Sequence, residues 1–389
     1  MVNSHFDTWT TILYILIGII GYNLIKKMMR KNISQLGGYS FSIEKTRKDY
    51  MIAFIIFYAL FAAVRHVGYC IGGTDAQNYI EMFQYCLNYD VANRGGNTTI
   101  EPGFIAVTKA IRYFSDSWRI YFFVVYGFIA FSYVYFIRKM CPKAMVFIPM
   151  VLLAFLYVKG FNTLRSHMAI SVFLIGLTFI KDKKWLSFFI IVSSMFFHRM
   201  SILYVPIYFF YFLVKKYMVN MDKWFFLIIG IIGLICSYVV GKYLQNYIFA
   251  IGLLGSTTDM TYVTRSMGTN ILESYPMYFA HIALFMALFF FYEKVDNLEE
   301  GKMMKILFIY DLWMVPAALI LGMWRFPNYL YVLRLCLWSI ILYYLCKGKY
   351  APLYKIMAWV VFIFWFVFRF SREWDDTGTS PYIFGLFNI

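Results

Sequence analysis

Twelve hydrophobic segments spaced along 389 residues decide the fold class of this chain before any other feature is read. They fall at roughly 9–25, 50–66, 119–137, 144–160, 162–180, 185–198, 201–214, 224–241, 277–292, 306–322, 328–346 and 356–370, and about 20 apolar residues cross the hydrocarbon of a bilayer as one helix. Within hydrocarbon each backbone N–H and C=O must be satisfied inside its own segment, so a chain filled in this way is expected to be an all-α polytopic membrane protein of about twelve transmembrane helices. The chain is 62% hydrophobic and 14% charged, against roughly 45–50% and about 25% in soluble domains. No stretch is polar enough to fold separately, so 1–389 is expected to form a single integral membrane domain.

Charge orders the segments. Lys26, Lys27, Arg30 and Lys31 follow the first segment without a small-residue cleavage site, which predicts a retained span. Placing that flank in the cytoplasm puts the short loops 26–49, 138–143, 181–184, 215–223, 293–305 and 347–355 there too. Together they hold 22 of the 36 Lys and Arg. Positive charge gathers on cytoplasmic loops, so both termini are expected on the outer face. The net charge of +16 is then mostly a topology signal, and a nucleic-acid partner is excluded.

Lysine and arginine do not divide evenly between the two sides. Of the 22 inside, 19 are Lys, whereas 11 of the remaining 14 are Arg: Arg65, Arg94, Arg112, Arg119, Arg165, Arg199, Arg265, Arg325, Arg334, Arg369 and Arg372. Topology asks only for charge, so an arginine-specific reason is needed for the outer set. A planar, permanently charged fork that grips phosphate or carboxylate in bidentate fashion is such a reason. For any one of them, snorkelling to the interface or pairing with an outer acid is the plainer account.

Two outer segments are long, 67–118 and 242–276. In the first, Thr74-Asp75-Ala76-Gln77 matches a capping box and predicts a helix with Asp75, Asn78, Tyr79 and Met82 on one face. Pro102 predicts a second helix over 102–114, with Phe104, Ile111 and Phe114 as its apolar stripe and Glu101 at its entrance. Both acids serve equally as caps or as active-site groups. The second outer segment, with Tyr262, Arg265 and Glu273, is expected to be a substrate lid.

Three breaks interrupt the apolar segments. The pair 185–198 and 201–214 is too short to cross with ease and meets at Phe197-His198-Arg199-Met200-Ser201, which predicts short broken or re-entrant helices around a cavity. Others lie at Lys159–His167 and at Trp324-Arg325-Phe326-Pro327-Asn328, and Arg334 falls inside the eleventh segment. Ionisable groups at such depth face the bundle interior or water, so Arg165, His198 and Arg334 are site candidates, a hydrogen-bonded interhelical contact being the alternative for His198. Asp311, the one acid within a segment, is expected near the cytoplasmic end in an interfacial salt bridge. Nucleotide loops, HExxH and GxSxG are absent from the sequence, and the six cysteines show no CxxC or metal spacing, so no cofactor and no metal is expected. Cys70 and Cys86 share the outer segment, and spacing does not pair them.

Four motifs in order, Gly73 to Phe83, Glu101 to Ile111, Phe161 to Ser171 and Phe196 to Pro206, resemble the EpsG-like branch of the Wzy polysaccharide polymerases, with Ser166-His167 departing from the pattern. The resemblance implies a GT-C-like glycosyltransferase architecture and polymerisation of undecaprenyl-diphosphate-linked oligosaccharide repeat units into O-antigen or capsular polysaccharide on the periplasmic face. It implies a catalytic role for Asp75, Glu101 and His198, Asp75 first as base, and diphosphate binding by Arg165, Arg199, Arg325 and Arg334. Partners would be membrane lipids, with a chain-length regulator and a flippase of the same pathway. Two other classes fit the arginines or the histidine: a lipid-linked oligosaccharide flippase, against which the missing internal repeat speaks, and a multispan O-acyltransferase, against which the short lysine-dominated cytoplasmic loops speak.

Overall fold

The computed structural model describes residues 8–29, 40–68, 72–73, 75–87, 93–94, 98–140, 160–218, 221–250, 271–320 and 326–345, and 350, 352–354, 356–357 and 360. Helix covers ten of the twelve hydrophobic segments. The other two, 144–160 and 356–370, fall almost entirely outside the described residues. By its internal packing the chain divides into two compact units. The first comprises Met1–Val91, Glu101–Arg199 and Leu345–Ile389, the second Ala92–Ile100 and Met200–Tyr344.

The first unit holds α1 (Thr8–Met29), α2 (Ser40–Ala63), α3 (Ala76–Tyr85), α4 (Pro102–Phe114), α5 (Trp118–Met140), α6 (Leu164–Thr178) and α7 (Lys184–Ser193). α1 packs on α2, α2 on α5, α5 on α6 and α6 on α7. In α5 Tyr121, Tyr126 and Tyr133 are buried, and their hydroxyls find partners outside the helix. Tyr133 lies 3.0 Å from His167 Nδ1 and Tyr121 3.3 Å from Thr108 Oγ1, as apolar surroundings require of a buried hydroxyl. α6 and α7 approach closely because Gly176 leaves room for Ile191, and the Ser187 hydroxyl donates to the Gly176 carbonyl at 2.8 Å.

The short helix α4 occupies the stretch that Pro102 marks, but its stripe differs from expectation. It buries Phe104 and Thr108, while Phe114 is 86% exposed. At roughly 100° per residue, Phe104 and Thr108 share a face and position 114 lies about 80° round from it. The apolar residues at the helix end therefore miss the face that packs on α3 and α5.

The second unit holds α8 (Pro206–Met218), α9 (Lys223–Ala250), α10 (Ile271–Phe290), α11 (Tyr292–Asp296), α12 (Glu299–Ile320) and α13 (Tyr331–Leu345), with a two-residue antiparallel pairing of Asn93–Arg94 and Thr98–Thr99. α12 is its axis and packs against α8, α9, α10, α11 and the 3-10 turn Phe326–Leu330. Gly233 of α9 makes room for the Trp313 indole, which donates to the Ile229 carbonyl at 3.2 Å. Small residues serve apolar helices in this way where water offers no drive to associate. At the end expected in the cytoplasm, the Lys305 ammonium lies 3.8 Å over the Tyr292 ring and donates to Tyr292 Oη at 2.6 Å and Asp296 Oδ1 at 2.5 Å. Burial pushes that ammonium below its usual range, against the pull of Asp296.

Helices α9 and α10 take both ends of the expected second outer segment, and 251–270 between them, with Tyr262 and Arg265, lie outside the described residues. Among the described residues two helices are long and apolar enough to cross a membrane, Trp118–Met140 and Lys223–Tyr243 within α9. Shorter apolar helices lie at Thr8–Leu24, Leu164–Thr178, Lys184–Phe196, Phe279–Phe290 and Asn328–Leu342.

Candidate functional site

The chain leaves α2 through Arg65, which is fully buried. Its Nε donates to the Gly72 carbonyl at 2.7 Å, Nη2 donates to Tyr126 Oη at 3.0 Å, and Nη1 donates to the Ala62 carbonyl. The guanidinium lies 4.1 Å from the centre of the Phe161 ring, 4.7 Å from that of Phe122 and 4.9 Å from that of Tyr126. Arg65, one of the outer arginines, is thus a pin joining α2, α5 and the turn before α6. A cation caged by aromatic faces and backbone carbonyls is stabilised without any acid.

The pin holds a two-glycine turn. Gly72 and Gly73 have φ of +75° and +115°, and a Cβ on Gly73 would stand 2.3 Å from the Phe161 carbonyl oxygen. Only glycine takes that backbone at that distance. Gly73 is consequently seated on Phe161, and Asn162 Oδ1 accepts the Asp75 backbone N–H at 3.0 Å. Asp75 stands at the N-cap of α3, yet its carboxylate makes no capping bond, and neither does that of Glu101 at the N-cap of α4. The position expected for both acids is right, and the capping role is not observed for either.

Glu101 is turned elsewhere. Its Oε2 accepts from Arg165 Nη1 at 2.8 Å and its Oε1 from the Arg199 backbone N–H at 3.1 Å. A close approach makes this possible: a Cβ on Gly103 would lie 2.8 Å from the Phe196 carbonyl oxygen, so the first turn of α4 rests directly on the 3-10 turn Ser194–Phe196 that follows α7. Arg165 sits in the first turn of α6, where the helix dipole disfavours a cation, and the carboxylate beside it offsets that. The Tyr79 side chain, from α3, hydrogen-bonds Arg165 from a second side, and the Tyr79 ring meets Phe104 of α4 edge-on at 5.8 Å. His198 is partly exposed and Arg199 exposed, at the tip where the chain passes from the first unit to the second.

Of the remaining arginine candidates, Arg325 is outside the described residues. Arg334 belongs to the second unit, where its Nη1 donates to Asp311 Oδ2 at 2.6 Å, with His281 Nε2 3.4 Å from the same oxygen. All three are buried, so Asp311 forms a salt bridge inside the helix bundle and not the interfacial one expected from its distance to Lys305. Nearby, the Tyr204 ring stacks on Tyr329 at 4.7 Å, and Tyr329 Oη lies 2.6 Å from Ser201 Oγ.

The structure therefore gathers Glu101, Arg165 and the Arg199 backbone, with Asp75 tethered to the turn that carries Arg165. Sequence reasoning missed three participants: Tyr79, Asn162 and His281. His281 was findable as an ionisable residue within the ninth segment, by the same rule that marks His198. Tyr79 had only its helix face as a signal, and Asn162 none beyond its motif. Among the described residues no group of three or more His, Cys, Asp or Glu is placed to hold a metal, and Cys86 is a free, buried thiol, while Cys70 lies outside them.

The first unit thus brings together in pairs the four motifs that carry the resemblance, Gly73 and Asp75 with Phe161 and Asn162, and Glu101 and Gly103 with Phe196 and Arg199, and Arg165 links the pairs. No curated protein and no solved structure matches the chain. The EpsG family matches it over residues 48–384, nearly its whole length and all four motifs. With helices apolar and long enough to cross a membrane and this match, the chain is a membrane protein that belongs to the EpsG family of polysaccharide polymerases.

Proposed function

We propose that the chain polymerises oligosaccharide repeat units carried on undecaprenyl diphosphate, on the periplasmic face of the inner membrane. The growing glycan passes from its lipid diphosphate to the non-reducing end of an incoming lipid-linked unit. The observation that carries this reading is the Arg165 guanidinium, 31% exposed and held on one edge by Glu101, beside a second arginine whose backbone bonds the same carboxylate.

The bond that breaks joins the anomeric carbon to a diphosphate oxygen, and negative charge grows on the diphosphate as it leaves. Donors fixed in advance where charge develops supply the largest single catalytic effect in many enzymes. Arg165 and Arg199 are assigned that role. The acceptor hydroxyl attacks the anomeric carbon and gives its proton to a base. Asp75, which spends no carboxylate bond on its own helix and is tied through Asn162 to the turn before Arg165, is assigned as that base. His198 at the tip is assigned to the phosphate oxygens. Arg334, engaged with Asp311 in the second unit, and Arg325 keep only their assignments from sequence.

Purified protein supplied with undecaprenyl-diphosphate-linked repeat units alone, without nucleotide sugar, acyl donor or ion gradient, should give a ladder of longer glycans. Arg165→Ala should lower the rate by about 100- to 1000-fold, and Arg165→Lys should recover only part of it, since it keeps the charge and loses the fork. A normal ladder from Arg165→Ala would remove the diphosphate role. No ladder from folded wild-type protein with a matched unit would overturn the polymerase reading in favour of flipping or acylation.

A further inference from the structure

Glu101 was a candidate for acid–base chemistry on sequence grounds, and the geometry points to a different role. We infer that Glu101, with Tyr79, is a positioning residue: the two form a clamp that fixes the Arg165 guanidinium and the His198–Arg199 tip for a diphosphate anion, and Glu101 takes no proton from the acceptor. The inference rests on the proposed reading of this site as a diphosphate site.

Four observations support it. The Glu101 side chain is 7% exposed and that of Arg165 31%, so the carboxylate is the less accessible of the pair. Both carboxylate oxygens already accept hydrogen bonds, one from the Arg165 side chain and one from the Arg199 backbone. A base must come within hydrogen-bond reach of the hydroxyl it deprotonates, and this carboxylate is buried with both oxygens engaged. The contact between Gly103 and Phe196 binds the entrance of α4 to the turn before the tip, so Glu101 reads the position of both segments at once. Tyr79, itself buried and braced on Phe104, meets the same guanidinium from α3. An arginine held by a buried carboxylate and a buried phenol has little rotamer freedom left to lose when an anion arrives, which is how preorganisation strengthens binding.

The test uses inorganic pyrophosphate as probe, titrated calorimetrically into purified wild-type protein, Glu101→Gln, Glu101→Ala, Tyr79→Phe and Arg165→Ala, with polymerisation rates and their pH profiles measured alongside. A clamp predicts that Glu101→Ala weakens pyrophosphate binding by about 10- to 100-fold, the loss expected of a hydrogen bond to a charged group. It predicts that Glu101→Ala costs less in an Arg165→Ala background than in the wild type, leaving only the part that Glu101 exerts through the Arg199 backbone. Tyr79→Phe, which keeps the ring and so the fold, should weaken binding less. In polymerisation, the clamp variants should raise KM for the lipid-diphosphate donor, and Glu101→Gln should keep the acid limb of the wild-type pH profile. Unchanged pyrophosphate binding with loss of kcat and of that acid limb in Glu101→Gln would overturn the inference and restore Glu101 as a base. Tighter binding in Glu101→Ala would overturn it in the other direction, making Glu101 a counter-ion that substrate displaces. Failure of the wild-type protein itself to bind pyrophosphate or to polymerise would instead overturn the diphosphate reading on which the clamp rests.

Discussion

Replacing either member of the buried Asp311–Arg334 pair should cost far more than replacing both. The oppositely charged atoms are 2.6 Å apart, which at an effective dielectric of about 20 corresponds to roughly 6 kcal/mol of attraction. Most of that is offset by the several kcal/mol lost in taking each ion out of water, so the pair contributes little net stability. Removing one partner leaves the other charge buried without its counter-ion and costs about 3–5 kcal/mol, a factor of roughly 150 to 5,000 in the folding equilibrium. Asp311→Ala and Arg334→Ala are each expected to unfold at lower denaturant or temperature by that amount, whereas Asp311→Leu/Arg334→Met should recover most of the loss. Reversible unfolding in mixed micelles, followed by tryptophan fluorescence, measures all four proteins. A double variant as unstable as the sum of the singles, or single variants indistinguishable from wild type, would refute the reasoning. The same double variant tests Arg334 itself: a stable protein that polymerises normally assigns Arg334 to the bundle, and a stable protein without product assigns it to substrate.

Other perturbations bear on the outer segment. Gly73→Ala forces a Cβ onto a backbone at φ +115° and against the Phe161 carbonyl. It should cost about 1–3 kcal/mol of local strain and shorten polymer in cells that still accumulate the protein on immunoblot, and full-length polymer would show that the Asp75 segment need not sit on the turn before α6. Burial pushes the Cys86 thiol above its usual range, against the opposing pull of Arg112 and Lys109. Only the thiolate reacts, so in a Cys70→Ser background Cys86 should react with a maleimide far more slowly at pH 7 than Asp116→Cys at an exposed position, and the rate should climb as pH rises past 9. Equal rates at pH 7 would contradict the burial.

The helices were legible because they are dictated locally. Ten segments that hydrophobicity marks as spans are helical, and Pro102 marks the start of α4. Even the breaks were visible, as short apolar runs meeting at His198-Arg199 and at Arg325-Phe326-Pro327, where 3-10 turns now stand on described residues. Local signals fail where a side chain has two possible partners. Asp75 and Glu101 both stand at helix entrances, and nothing in the neighbouring residues shows that Glu101 ignores its own helix for an arginine 64 positions on. Phe114 belongs to the apolar composition of its helix but not to the face that packs, since a face is defined by what lies against it.

The arginines divide the two kinds of knowledge most clearly. By itself the sequence determined that the chain enters a membrane and that lysine and arginine concentrate in different loops, because partitioning depends on composition and charge summed over short stretches. Only the tertiary structure decided which partners Arg65, Arg165 and Arg334 take. Arg65 is spent on backbone and aromatic rings, Arg334 on a buried aspartate, and Arg165 on a carboxylate that leaves part of it exposed. A guanidinium carries the same charge in all three places. Its function follows from which acceptors long-range packing brings within 3 Å of it, and residues 23 to 64 positions apart in sequence are brought together only by the fold.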